Sequence, residues 1–313
     1  MSHTGATRDG PVRYLVTGAA GMLGHDLRRA LVGREVTALS RAELDITDAD
    51  AVLAAVAGHD VVFNAAAYTD VDGAETHEQD AFAINATGVE NLAKAAAVHS
   101  AKLVTVSTDY VFDGTATEPY AEDTPRDPIN AYGRGKAAGE ELALAAHPNG
   151  AYVVRTAWLY GADGPNFAAT MLRLAASNPT VSVVDDQVGQ PTWTADLAAQ
   201  LVALTDADAP AGIYHVTGSG QTTWFGFARA VFERAGLDPE RVLATDSASF
   251  VRPARRPSYS VLGHDAWIRA DLPPLRPWQD ALAEAVASGA VASSTPTPSS
   301  PASAPESPKA TPR

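Results

Sequence analysis

Val12-Arg13-Tyr14-Leu15-Val16-Thr17-Gly18-Ala19-Ala20-Gly21-Met22-Leu23-Gly24 carries an apolar run into a glycine-rich turn, and Leu23, Leu27, Ala30 and Leu31 then recur at helical spacing. Strand, glycine turn, helix is the setting in which a GxxGxxG pattern binds a dinucleotide. Glycines without a Cβ let the chain turn tightly and the backbone approach a pyrophosphate, which then lies at the positive end of a helix. Gly18, Gly21 and Gly24 are the first candidate contacts.

Working outward, strands are expected at 35–39, 60–64, 102–107 and 152–156, with helices at about 48–57, 85–99 and from Tyr132 to about 146. This strand, helix, strand alternation over 12–160 predicts a Rossmann-like, doubly wound parallel sheet. Beyond 160 the periodicity loosens into helices near 166–176, 195–205, 223–235 and 277–287 and short strands at 181–184 and 213–217. Residues 161–288 are read as a smaller α/β substrate-binding lid, with exchange of chain between the two parts left open and the substrate site in the cleft between them. Residues 1–11 read as a flexible N-terminus, and 289–313, rich in Ala, Ser, Thr and Pro, as a disordered tail.

With 313 residues, 46% of them hydrophobic, the chain can bury a large core. It has no cysteine, and its 8 histidines show no HExxH-like spacing, so no metal site is expected. The start lacks the order of a signal peptide and no apolar run approaches the roughly 20 residues of a membrane span, which reads as a cytoplasmic protein. A net charge of -14 argues against nucleic acid as a partner.

Asn130-Ala131-Tyr132-Gly133-Arg134-Gly135-Lys136 sets a phenol and an ammonium one helical turn apart. The ammonium is expected to lower the pKa of Tyr132, which suits a group exchanging a proton with a substrate oxygen. After the second strand the position that reads the cofactor's ribose holds Ser40-Arg41 in place of an acid. A hydroxyl and a guanidinium suit a 2'-phosphate, which favours NADPH over NADH; the other reading pairs Arg41 with Glu43 or Asp45. Asp45-Ile46 is placed to cover an adenine edge, and Ala65-Ala66-Ala67 leave room for a ligand at the end of the third strand. Thr108 offers a hydroxyl to a substrate carbonyl opposite Tyr132. Trp158 either stacks on a sugar or pyrimidine or sits half-buried in the core. Arg252, Arg255 and Arg256 form a basic island, read either as a clamp on substrate phosphates or as surface charge.

The glycine turn, Asn64-Ala65-Ala66-Ala67, Ser107-Thr108-Asp109-Tyr110-Val111-Phe112 and the Tyr132 to Lys136 spacing together resemble the extended short-chain dehydrogenase/reductases. Asp70-Val71-Asp72, Arg155-Thr156-Ala157-Trp158, Asp186 to Thr192, and Arg256-Pro257 followed by Ser260 are similar to the dTDP-4-dehydrorhamnose reductase family, over about 12–287. That resemblance implies Thr108, Tyr132 and Lys136 as the catalytic set. It implies cofactor contacts from Gly21, Met22, Leu23, Asp45, Ile46, Ala67, Tyr68 and Thr69, and sugar-nucleotide contacts from Thr108, Asp109 and Trp158. The activity implied is hydride transfer from a nicotinamide cofactor to C4 of a dTDP-4-keto-6-deoxy sugar, by a monomer or homodimer. Two other readings stand beside it: another nucleotide-sugar 4-ketoreductase or epimerase, and a non-catalytic NADP-binding regulatory subunit.

Overall fold

The structure, a computed structural model, describes residues 10–291. In strand β1 (Arg13–Thr17), Tyr14 and Val16 point into one helical layer and Leu15 into the other. A parallel strand covered on both faces has no polar side to show, which is why it reads as an unbroken apolar run. It is joined by β2 (Glu35–Leu39), β3 (Val61–Asn64), β4 (Lys102–Thr108), β5 (Ala151–Thr156) and, at the far edge, the strand Gly212–His215. The order is β2-β1-β3-β4-β5 followed by Gly212–His215, and every pair is parallel. From β1 the chain reaches β2 on one side and β3 on the other. A crevice therefore opens at the carboxyl ends of β1 and β3, where open α/β sheets bind ligands.

On one face α1 (Met22–Ala30) packs against the helix Thr194–Asp206. On the other lie α2 (Ala49–Val56), then α3 (Glu78–Phe82), a π-helical turn (Ala83–Thr87) and α4 (Gly88–His99) in one continuous run, and α5 (Ala131–Ala146). Helix begins at Glu78, ahead of the expected 85, because the exposed first turn of α3 buries little beyond Ala81 and shows no apolar period. The smaller part packs the helices Phe167–Ser177, Trp224–Arg234 and Trp278–Ala287 around Met171, Phe227, Phe232 and Leu282, next to the parallel pair Val181–Val184 and Val242–Thr245.

The chain does not stay in that smaller part from 161 to 288. Helix Thr194–Asp206 and strand Gly212–His215 return to the main sheet, where Leu197, Leu201 and Tyr214 share a core with Leu23 and Leu27. Sequence spacing reveals an apolar face but not its partner, which is why period alone left the exchange of chain open. The expected tail at 289–313 lies outside the described residues except at its start. There Gly289 turns the chain at φ +76 and Val291 is buried, its N–H bonded to the Ala285 carbonyl. Residues 1–9 of the expected flexible N-terminus also lie outside the described range, and Gly10 and Pro11 are exposed. No described helix is long and apolar enough to cross a membrane.

Candidate active site

A cleft of about 1010 Å³ follows the carboxyl ends of the strands, from Gly18, Gly21, Met22 and Leu23 at one end to Thr108, Tyr132, Trp158 and Trp224 at the other. Gly18 has φ +68, and a Cβ there would run into the backbone of Ala65 and Ala66, so the turn admits only glycine. A Cβ on Gly24 would fall on the Gly18 carbonyl. Gly24 thus lets α1 press onto the turn and does not itself line the cleft. With Gly21 at the N-cap and no acid in the first turn, the leading N–H groups of α1 meet no carboxylate, which fits an anionic pyrophosphate. Asn64 braces the crevice: its Oδ1 accepts from Thr17 Oγ1 at 2.7 Å and Ala66 N at 3.1 Å, and its Nδ2 donates to Thr105 Oγ1 at 3.0 Å.

At the edge past β2, Arg41, Asp45 and Ile46 line the cleft. Ser40 does not: its N–H and hydroxyl both donate to Glu43 Oε2, at 2.8 and 2.7 Å, closing a turn that points the side chain away. Of the expected pair only Arg41 is left to meet a 2'-phosphate. The Thr47 N–H and hydroxyl hold the Asp45 carboxyl below its ordinary range, with Arg41 adding to the effect. Ala67 and Thr69 line the cleft between the ends, whereas Tyr68 does not. The main chain of Tyr68 is gripped by Asn85, buried on the π turn, which accepts from its N–H at 2.9 Å and donates to its carbonyl at 3.0 Å. Helix α5 can lie on that turn because a Cβ at Gly139 would strike the Asn85 carbonyl.

Tyr132, Lys136 and Thr108 line one cleft, but the electrostatics of the first two differ from the expectation. Asn130 caps α5, accepting from Gly133 N at 2.7 Å, so Tyr132 sits in the first turn and Lys136 one turn on. Lys136 is buried and donates to the Val106 carbonyl at 2.9 Å, not to the phenol. Burial pushes its pKa down to about 8, with the Glu140 carboxylate pulling the other way. Burial also raises the Tyr132 pKa, helped by the nearby Asp109 carboxylate and eased by the Thr108 hydroxyl. The phenol therefore holds its proton more firmly than a free tyrosine, the reverse of the expected lowering. Desolvation outweighs a neighbouring charge that is directed elsewhere.

Thr108, last in β4, donates to Asp109 Oδ1 at 2.9 Å and accepts from Tyr110 N at 3.2 Å. Its single proton rests on Asp109 and can turn to the Tyr132 oxygen, and that second bond is what eases the Tyr132 pKa. Burial raises the Asp109 pKa to about 6, partly offset by the Ser260 and Thr108 hydroxyls. Asp109 Oδ2 and Thr156 Oγ1, both on the cleft wall, find no hydrogen-bond partner among the described residues, as suits a wall that meets a polar ligand.

At the far end Trp158 takes the left-handed φ of +47, a conformation costing a bulky residue roughly 1–2 kcal/mol. Its indole stacks on Trp224 at 3.6 Å and 10°. Trp158 is also half-buried against the core of the smaller part, the second of its two expected readings, and the stack leaves at most one indole face for a ligand. Arg256 is not brought to the cleft lining; Asp72 and the Ala254 carbonyl take its guanidinium. Sequence reasoning missed Trp224, Asn85, Asp72 and Glu140. Glu140 is buried with Arg155 as a two-point ion pair at 2.9 and 2.7 Å and accepts from Ser107 Oγ at 2.5 Å, pinning the end of β4 beside Thr108. The one available signal for Glu140 was its place one turn beyond Lys136.

Residues 12–291 match the model of the family described as RmlD substrate binding domain. A "dTDP-4-dehydrorhamnose reductase" of Streptomyces griseus is 53% identical over 280 residues, 87% of this chain and 92% of its own. A "dTDP-4-keto-6-deoxy-D-glucose reductase" of Streptomyces niveus is 49% identical over 277 residues, covering 87% and 96%. Among solved structures, a dTDP-4-dehydrorhamnose reductase of Bacillus anthracis in complex with NADP superposes with a TM-score of 0.86 at 37% identity, over 89% of this chain and 100% of that one.

Proposed function

Because this chain belongs to the RmlD substrate binding domain family, we propose that it reduces the C4 keto group of dTDP-4-dehydro-6-deoxy-L-mannose (dTDP-4-dehydrorhamnose) to give dTDP-L-rhamnose, with NADPH preferred over NADH. The observation that carries this reading is that one cleft holds the glycine turn and the Thr108, Tyr132 and Lys136 side chains together. The main sheet holds the cofactor, the smaller part closes on the sugar nucleotide, and the reaction belongs to the cytoplasm.

Gly18, Gly21, Met22 and Leu23 would take the pyrophosphate, Asp45 and Ile46 the adenine, Arg41 the 2'-phosphate, and Ala67 and Thr69 the stretch between. Bound there, the nicotinamide supplies a hydride to C4 of the sugar. The carbonyl oxygen needs a proton as its bond to C4 becomes single, and Tyr132 delivers it. A phenol whose pKa is raised is fully protonated at neutral pH, the starting state a donor requires. The Thr108 hydroxyl, which rests on Asp109 in the free protein, would turn to donate to the carbonyl oxygen beside the phenol. Lys136, protonated at neutral pH beneath the site, would hold the nicotinamide ribose and favour the phenolate left after transfer. Asp109 and Trp158 would contact the sugar and its base.

The test is loss of reduced-nicotinamide absorbance with product analysis. NADPH is expected to be consumed only when the 4-keto sugar nucleotide is added, with dTDP-L-rhamnose formed; no loss at saturating substrate removes the reductase reading. The name of the S. niveus relative favours a second substrate for the same chemistry, dTDP-4-keto-6-deoxy-D-glucose. Faster turnover of that isomer would transfer the assignment to it.

A further inference from the structure

We infer that Asp72, with Arg252 and Arg256, forms a clasp that positions Tyr132 by tying the 252–256 loop of the smaller part to the N-terminus of α5. Asp72 precedes the short turn Gly73–Glu75, and its carboxylate does not cap that turn. It reaches to the 252–256 loop instead. Arg252 Nε donates to its Oδ2 at 2.9 Å, Ala254 N donates to its Oδ1 at 3.1 Å, and the ends of the Arg252 and Arg256 guanidiniums also close on it. Asp72 and Arg256 are mostly buried, while Arg252 is half exposed. A carboxylate shared by two guanidiniums and a backbone N–H in one place is a cross-link that solvent screens poorly.

Both loops joined by the clasp also grip the helix that carries Tyr132. Three residues beyond Asp72, Glu75 Oε1 accepts from Ala131 N at 2.8 Å, beside Tyr132. From the other loop the Arg255 carbonyl accepts from Asn130 Nδ2 at 2.9 Å, and Asn130 is the cap of α5. Arg256 further faces the Tyr110 phenol, whose ring meets Tyr132 edge-on at 6.0 Å and 85°. Loop 72–75, loop 252–256 and residues 130–132 therefore form a closed triangle, with Asp72 joining the two loops. Without it the two arginines repel and each loop holds α5 alone. Asp72 touches no reacting atom and acts as a positioning residue. The guanidiniums hold its carboxyl far below the ordinary range, so the clasp stays charged at any pH at which the enzyme would be assayed.

The turnover arm of the test rests on the reductase reading; a second arm does not. In Asp72→Asn, kcat with the keto sugar nucleotide is expected to fall about 30-fold while the KM for NADPH stays within about twofold. Adding Arg256→Gln should lower kcat no further, because both changes open one cross-link. Amide exchange should rise about tenfold in peptides 128–136 and 250–258 and stay unchanged in 22–30. A folded Asp72→Asn protein with kcat within twofold of the unaltered one, or with unchanged exchange at 128–136, overturns the inference. Should that variant fail to fold, Arg252→Ala severs only the exposed arm: severalfold faster exchange in both peptides supports the clasp, and no change at 128–136 overturns it. No turnover by the unaltered protein overturns the reductase reading instead, and the exchange arm alone then decides the clasp.

Discussion

The Gly18 end of the cleft is built from main chain: a left-handed glycine, the first N–H groups of a helix and small residues leaving β3, all drawn from 13–69. The Trp158 end is built from side chains that arrive from 108, 110, 132, 158 and 224, and outside its lining Asp72 and Arg256 join across 184 positions. Backbone packed this closely has few solutions, so it shapes any dinucleotide in the same way. A surface assembled from long side chains can be retuned one residue at a time without disturbing the sheet. The first end suits a shared cofactor and the second a particular sugar.

If the two ends are separable, Tyr132→Phe should produce the largest effect and confine it to the second. Phenylalanine keeps the ring and its edge contact with Tyr110 and removes only the proton donor. kcat is expected to fall about 1000-fold, within the span of a lost general acid, while the NADPH Kd measured by titration stays within about twofold. An NADPH Kd that moves as far as kcat would show the ends to be one unit.

Lys136 lies where the ends meet, and its burial sets function against stability. Its pKa is depressed to about 8 from the ordinary 10.5, so folding there favours the neutral amine. Between those values the unfolded chain binds more protons than the folded one, so stability rises with pH across that window, and below it the buried charge costs about 3 kcal/mol. Lys136→Met should lower kcat/KM about 100-fold yet raise Tm by a few degrees at pH 7, a gain that shrinks as pH rises from about 8 to about 10.5. The unaltered enzyme should also lose activity as pH passes about 8 and the ammonium is discharged. A lower Tm in the methionine variant at neutral pH would mean the ammonium is compensated where it lies.

The same contrast governs what could be read from the chain. Gly18 was legible because only glycine fits its φ and the approach of Ala66, and the doubly wound parallel sheet followed from alternation of strand and helix, though its strand order did not. Tyr132 and Lys136 were legible as a pair because one helical turn fixes their spacing, but the direction of the phenol's pKa was not. That depends on burial and on Asp109, neither of which spacing encodes. Arg256 was visible as charge, and its partner Asp72 as an acid in a motif, yet nothing in the sequence placed one against the other. Trp224 showed no signal at all, since an aromatic at a helix start is ordinary core until it is found stacked on Trp158.

Arg41 gives the smallest expected effect and the finest test of the contrast, because it is a long charged side chain at the end whose glycine turn is made of main chain. It is exposed on the cleft edge, near Asp45, while its neighbour Ser40 is turned to Glu43. An exposed guanidinium meeting a phosphate is screened by water and salt, so its worth is about 1 kcal/mol, roughly fivefold. Arg41→Ala should therefore lower the ratio of kcat/KM for NADPH over NADH about fivefold, through KM for NADPH alone and less at high salt. An unchanged ratio would mean that Arg41 reads no phosphate and that the cofactor end selects by backbone alone.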